Sequence, residues 1–251
     1  MALTKIGKEG ITGLSNSADA SALFIDSSER VGVGATPNAT FGSHLYAQGT
    51  PAANKPIISA YSTGNSNKAG IGILNDAGNR GIWTDSNDFL LTTSYEGNSA
   101  VHMKIDTNGI ITKPLQPAFM ARPASTQSNL STGTVIAFGT EVFDNNADFA
   151  SNVFTAPVAG RYQLMFQGRA DNTDQAAAYS RFYLKTSNRN YESIFHIGGL
   201  SGDASYWTFV ICVLADMDAS DTAFVEYNQG GGSNQADMQT AESTFSGYLV
   251  A

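Results

Sequence analysis

Apolar positions along the chain recur in short bursts, and no window of a dozen residues carries sustained i, i+3, i+4, i+7 spacing with good helix formers. The pattern predicts an all-β protein. Toward the C-terminus the bursts lengthen: residues 160–166 alternate, which puts Tyr162, Leu164 and Phe166 on one face of a strand. Residues 180–185, 191–197, 206–215, 222–228 and 243–250 follow as further strands, with His196 inside one of them between Phe195 and Ile197. Shorter strands are expected at 56–61, 69–74 and 89–93, separated by turn segments at 75–79 and 84–88 rich in Asn, Asp and Gly. Near the start, residues 22–34 read as strand, turn, strand with 26–30 making the turn, and residues 101–111 echo them.

Texture separates three regions. Residues 1–40 carry too little apolar surface for a core of their own and are expected to pack against another chain, because segments of about 40 residues rarely fold alone. Residues 41–116 form a β-rich region, closed by Lys113-Pro114-Leu115-Gln116-Pro117, where two prolines remove two backbone donors from any ladder. Residues 117–251 hold the longest strands, eight or more of them, the size of a two-sheet jelly roll.

Composition narrows the classes of function. Fourteen basic residues scattered among 22 acidic ones, for a formal net charge of -8, exclude a phosphate-binding surface and hence a nucleic-acid partner. Only 14% of residues are charged, so Asn, Ser, Thr, Gln and Gly carry the polarity, a surface suited to solubility and to contact with sugars. The longest apolar run, residues 207–215, is about half of the ~20 residues a membrane helix needs, so no span is expected. Residues 1–10 contain no apolar run of signal-peptide length, and synthesis in a cytoplasm without Sec export is expected. Cys212, alone and inside that run, admits no intramolecular disulfide and reads as a small buried hydrophobe.

Three motifs in order carry a resemblance over residues 117–251. Ala118-Phe119-Met120-Ala121-Arg122 resembles a first strand, Phe154-Thr155-Ala156-Pro157-Val158-Ala159-Gly160-Arg161-Tyr162 a Phe-x-x-Pro-x-x-Gly-x-Tyr signature, and Phe245-Ser246-Gly247-Tyr248-Leu249 a closing strand. The region thereby resembles the globular head of the complement and tumour-necrosis-factor superfamily, which implies a trimeric jelly-roll β-sandwich. It departs from the family in the Gly- and Gln-rich insert 230–242 and in lacking a collagen stalk, which puts a complement role in doubt. Ile25-Asp26-Ser27-Ser28-Glu29-Arg30-Val31-Gly32-Val33-Gly34 is similar to a strand-turn-strand element of phage tail fibre and virion structural proteins. Together the two resemblances imply an intertwined homotrimer, with a virion-docking segment at 1–40, a β-strand shaft at 41–116 and a head at 117–251. The function implied is attachment of a bacteriophage to its host, with tail or baseplate proteins held by the N-terminal region. The host ligand would be a surface polysaccharide or outer-membrane receptor. A head fibre or capsid decoration protein, and a carbohydrate-cleaving spike, are the alternatives.

Chemistry-bearing patterns are few. No Gly-x-Ser-x-Gly elbow and no zinc-binding His or Cys spacing occurs, and His44, His102 and His196 lie far apart. Val31-Gly32-Val33-Gly34 is followed by Pro37 rather than a helix, which excludes a dinucleotide loop. Asp216, Asp218 and Asp221 form either an acidic hairpin or a calcium site, although the glycine and final glutamate of a hand-type loop are missing. A pair of distant carboxylates for glycoside hydrolysis stays open from sequence alone. Asn38 and Asn129 stand in glycosylation acceptor patterns that read as chance. No cofactor is implied. In a jelly roll whose last strand returns to the shaft, loops 171–177, 198–205 and 230–242 should share the far end, and 187–190 and 217–221 the near end. The candidate receptor-binding residues are therefore Asp171, Asn172, Asp174, Gln175, Asn234, Gln235 and Asp237, with Tyr206 and Trp207 as bordering aromatic surface.

Overall fold

The structure, a computed structural model, describes residues 23–25, 31–33, 45–47, 68–75, 78–93 and 100–251. It falls into two units, Met1–Ala69 and Gly70–Ala251. In the first, β1 (Leu23–Ile25) pairs antiparallel with β2 (Val31–Val33), Leu23 opposite Val33, the two strands expected there, while the turn expected at 26–30 lies outside the described residues. β3 (Leu45–Ala47) joins β2 in parallel. The expected strand at 56–61, His44 and Asn38 lie outside the described residues.

A five-stranded meander comes next: β4 (Lys68–Asn75), β5 (Gly78–Asp85), β6 (Asp88–Thr92), β7 (Val101–Ile105) and β8 (Ile111–Thr112), paired in sequence order. The turn expected over 84–88 is tighter, because Asp85 and Asp88 are paired and only Ser86, at φ 56°, and Asn87 link them. Between β7 and β8, one Asp106 Oδ1 accepts the N–H groups of Asn108 at 2.8 Å and Ile110 at 2.9 Å. That carboxylate fixes the Asp-Thr-Asn-Gly turn and lets Gly109 take φ 80°.

The remaining strands build a sandwich: β9 (Ala118–Arg122), β10 (Gln127–Leu130), β11 (Thr134–Val135), β12 (Thr140–Asp144), β13 (Phe149–Ala150), β14 (Val153–Thr155) and β15 (Gly160–Thr173), then β16 (Ser180–Thr186), β17 (Asn190–Phe195), β18 (Ala204–Met217), β19 (Thr222–Gln229), β20 (Ala236–Met238) and β21 (Thr244–Leu249). The long pairings are nested: β9 with β21, β14 with β19, β15 with β18, β16 with β17. First-with-last nesting in two sheets is a jelly roll. One sheet carries β18, β15, β21, β9 and β12, with β20 and β10 continuing it; the other carries β13, β14, β19, β16 and β17, with β11 on β19.

Alternation along β15 sends Tyr162, Leu164 and Phe166 inward to zero exposure, as the spacing predicts. There they meet Phe119, Phe154, Phe182, Phe209 and Phe245 in one aromatic core. The signature Phe-x-x-Pro-x-x-Gly-x-Tyr has a packing reason at each end. The buried Tyr162 hydroxyl donates to Val158 O at 2.8 Å, and a Cβ on Gly160 would come within 2.7 Å of Leu249 Cδ1. Cys212 departs from expectation: it is exposed. In β18 the odd positions Phe209, Ile211 and Ala215 face the core, so Val210, Cys212 and Leu214 face out. The strand expected over 191–197 stops at Phe195, and His196 instead precedes a 3₁₀ turn, Ile197–Gly199.

Candidate functional site

β15 sets the two ends of the sandwich apart. Gly160 pairs with Met217 and Thr173 with Ala204, so fourteen residues of extended chain, roughly 40 Å, separate them. The meander joins at the Gly160 end, where Leu249 N donates to Pro117 O at 3.0 Å and Gln116 Nε2 donates to Leu249 O at 2.5 Å. At the Thr173 end lie the connections β15–β16, β17–β18 and β19–β21.

Carboxylates tie these three far-end connections together. Asp174 Oδ1 accepts from Ala176 N at 2.8 Å within its own turn, and its other oxygen accepts from Ser233 N in the β19–β21 connection. Gly232 permits that approach: its φ is 70°, and a Cβ there would sit 2.7 Å from Asp174 Oδ2. The Ser233 and Ala176 amide hydrogens hold the Asp174 carboxyl below the usual carboxylate range. Asp203 bridges the other two connections, accepting from Gln175 N and from Gln235 Nε2, both at 2.9 Å. Asp237 accepts from Asn129 N at 2.9 Å and from Asn172 Nδ2 at 3.0 Å, and Gln229 Nε2 donates to Gly231 O at 2.8 Å.

The residues named from sequence fall into three groups. Gln175, Asn234 and Gln235 sit in the far-end connections; Asp174 is there too but buried, holding backbone. Asp171 and Asn172 are not loop residues, since β15 runs on to Thr173, and Asp171 is clamped by Arg169 through bonds of 2.7 and 2.9 Å. Asp237 lies in β20, a strand inside the insert expected as loop. Tyr206 and Trp207 lie within β18 and, as neighbours in a strand, project to opposite faces. They do not form one aromatic surface. Tyr206 is 69% exposed beside Arg169, whose guanidinium carbon is 5.4 Å from its ring centroid. Trp207 stacks on Phe195, centroids 3.8 Å apart and planes at 8°. Sequence reading missed Asp203, Arg169 and Phe195; only the turn residues Ser201-Gly202-Asp203 gave any signal for them.

At the near end the acidic hairpin is closed by its neighbours. Arg189 Nη2 bonds Asp216 at 2.5 and 2.7 Å, and Asp221 Oδ2 accepts from Asp218 N and Asn188 Nδ2, both at 2.9 Å. Arg189 holds the Asp216 carboxyl low. A cleft of ≈ 640 Å³, lined by His102, Lys113, Leu115, Asn146, Asp148 and Val158 among others, opens at the same end. Burial pushes the Asp148 carboxyl up there, partly offset by Asn146. Among the described residues no group of three His, Cys, Asp or Glu side chains is placed to hold a metal ion, and no helix is long and apolar enough to cross a membrane.

No protein-family model matches the chain, and no curated protein does. Solved structures with a similar fold include the globular domain of zebrafish complement 1qA protein, at 17% identity, TM-score 0.43, over 54% of this chain and 98% of that one. Murine APRIL at pH 8.0 matches at 10% identity, TM-score 0.41, over 54% of this chain and 99% of that one. The likeness spans about half the chain, and the jelly-roll assignment itself rests on the nested strand pairing.

Proposed function

We propose that the chain is a non-enzymatic virion fibre or spike protein of a bacteriophage, a homotrimer that attaches to a host-surface glycan or outer-membrane receptor through the far-end connections of its jelly roll. One observation carries the reading: the sandwich is joined to the preceding chain at one end and presents three mutually pinned polar connections at the other. Pinning lowers the entropy lost on binding, which is what an attachment surface gains from preordered loops. The antiparallel pair β1 and β2, in the stretch that resembles the virion-protein element, supports a virion setting, with the N-terminal region as the side that meets other virion proteins.

Assembly is supported by the outward face of β15, β18 and β21. Met165, Val210, Leu214 and Tyr248 are 40%, 52%, 54% and 52% exposed there, interspersed with Gln163, Gln167 and Ser246, a mixed apolar and uncharged surface that a second copy could cover. A head fibre or decoration protein would use the same modules. Asp174 does not suit the acid role of a cleaving spike, which needs a carboxylic acid with a raised pKa beside a second carboxylate, because the amides it binds hold it low. Two measurements test the proposal: sedimentation of the purified full chain, expected to show three copies, and competition of virion adsorption by that protein. A folded monomer at micromolar concentration, or adsorption unaffected by saturating protein, overturns it.

A further inference from the structure

β16 and β19 are paired along their whole length, and while Phe182, Leu184, Val225 and Tyr227 point into the core, the alternate side chains meet on the opposite face. Three of these form one cluster. Glu226 Oε1 accepts from Lys185 Nζ at 2.6 Å and from Asn228 Nδ2 at 2.8 Å, so a single carboxylate oxygen touches both a primary amine and the nitrogen of a primary amide. The cluster is sheltered, with 24% of the Lys185 side chain, 15% of Glu226 and 9% of Asn228 left in water. Burial pushes the Glu226 carboxyl up, but the bonds from Lys185 and Asn228 outweigh it and hold it low, so the resting pair is ammonium and carboxylate. Arg181 stands opposite Asn228 in the register, its guanidinium carbon 4.7 Å from the Tyr179 ring centre and 4.4 Å from that of Tyr183. Its Nη1 meets Glu192 at 3.3 Å, whereas its Nε is buried and has no hydrogen-bond partner. A buried donor without an acceptor is costly, and one across from an amide gains an acceptor when negative charge develops on the amide oxygen.

We propose that Lys185 and Asn228 join in an isopeptide bond between β16 and β19, formed by the chain itself with Glu226 as proton relay and Arg181 as the donor to the intermediate. A proton crosses the 2.6 Å bond from the Lys185 ammonium to Glu226, and the neutral amine adds to Asn228 Cγ. The flexible stem of Lys185 covers the remaining travel from the carboxylate to Cγ. Negative charge collects on the amide oxygen, where the Arg181 guanidinium stabilises it. Glu226 relays to Nδ2 the two protons that Nζ loses, the Cγ–Nδ2 bond breaks, ammonium leaves and the carboxylate is restored. The step needs no oxidant and no second reactant. The bond ties two neighbouring strands of one sheet, so that local fraying cannot part them, and it is independent of the attachment reading.

Intact-mass spectrometry of the purified full chain, denatured after folding, reads the bond directly: the mass is expected to fall short of the unlinked chain by one ammonia. Trypsin cuts after Arg181 and Arg189 and meets no Lys or Arg beyond, so linkage leaves residues 182–189 attached to residues 190–251 in one branched peptide. Lys185→Arg, which keeps a cation beside Glu226 but no amine, and Glu226→Gln, which cannot take up the proton, should each show the full mass and two separate peptides. Arg181→Met should leave a mixture of linked and unlinked chains, and complete linkage in that variant removes Arg181 from the step. The full mass in the folded unmutated chain overturns the proposal, and that measurement decides the matter even where a variant fails to fold. An ammonia loss that persists in Lys185→Arg also overturns it, because the loss then arises at another amide.

Discussion

Phe245→Ala isolates the contribution of the closing strand to the core. The ring has zero exposure and lies 5.0 Å from Phe119 at 80°, 5.6 Å from Phe138 and 6.0 Å from Phe149 at 73°. Truncation removes a transfer contribution of about 2–3 kcal/mol. If roughly 80 Å³ of the ring's space stays unfilled, the cavity adds about 2 kcal/mol. Collapse is restrained because the pair partner on β9 is Ala121 and the next inward position in the strand is Gly247, neither long enough to move in, while the partner on β15 is Phe166, a rigid ring. The expected loss is about 4–5 kcal/mol, or about 8–20 °C in Tm for a unit of this size. Denaturant unfolding at fixed protomer concentration measures it, since assembly adds a concentration-dependent increment. Tyr248→Ala is the control: it faces outward at 52% exposure, so its effect should be under about 1 kcal/mol per protomer and should appear through assembly. A loss below about 1.5 kcal/mol for Phe245→Ala, with the unfolding slope unchanged, would refute the packing argument.

Gly247→Ala should cost about 1–3 kcal/mol in the same assay, because its methyl would meet Leu164 Cδ2 at 2.6 Å and Phe119 Cε1 at 2.9 Å; a neutral result would mean the sheet shifts freely. The Asp174 carboxyl has a folded pKa below its ordinary 3.8, so its contribution is full above that value and lost as pH falls through the lower folded value. Hydrogen exchange at residues 231–234 should therefore quicken below about pH 4 relative to the intrinsic rate, and Asp174→Asn should abolish that dependence; an unchanged profile in the variant would assign the acid sensitivity elsewhere. Cys212, exposed in the protomer, should react with a maleimide when the chain is dispersed and be protected when assembled. Equal rates would move the contact between copies off this face.

Strands with one buried face were legible because their residues alternate, as in β15, and the three head motifs coincide with positions whose packing tolerates little else: Phe154 and Phe245 at zero exposure, Gly247 under Leu164, Tyr162 bonded to Val158. β18 misled for the opposite reason. It is apolar on both faces, inward for the core and outward at Val210 and Leu214, so residues 207–215 read as one run with no period, and nothing in the run tells which face Cys212 takes. The loop chemistry was half legible. Turn residues located the connections, but no pattern along the chain tells that Asp174 meets a backbone amide 59 positions away, or that Asp171 is taken by Arg169 two positions before it. A side chain that reads as a free acceptor for sugar hydroxyls is, in the fold, the tie that shapes the loop.

The proposed assembly face and the far-end connections do not compete for the same surface. Going along β15, the outward side chains pass from Arg161, opposite Asp216, through Met165, opposite Cys212, to Arg169 and Asp171 near Tyr206. Uncharged rows occupy the middle, with Gln163 beside Leu214 and Gln167 beside Val210, and ionic rows bound them at both ends. A second copy covering Met165, Val210 and Leu214 thus leaves the far-end connections open, and the two functions can be separated by one substitution. Leu214→Asp places a charge among these apolar side chains and should disperse the copies while leaving the core untouched, because the residue is 54% exposed. Binding of the host receptor per protomer, read by calorimetry, should be unchanged. Competition of virion adsorption should fall by about 10²–10⁴, the increment that linking weak sites supplies. If dispersal instead removes binding at each protomer, the site is shared between copies and the separation drawn along β15 is wrong.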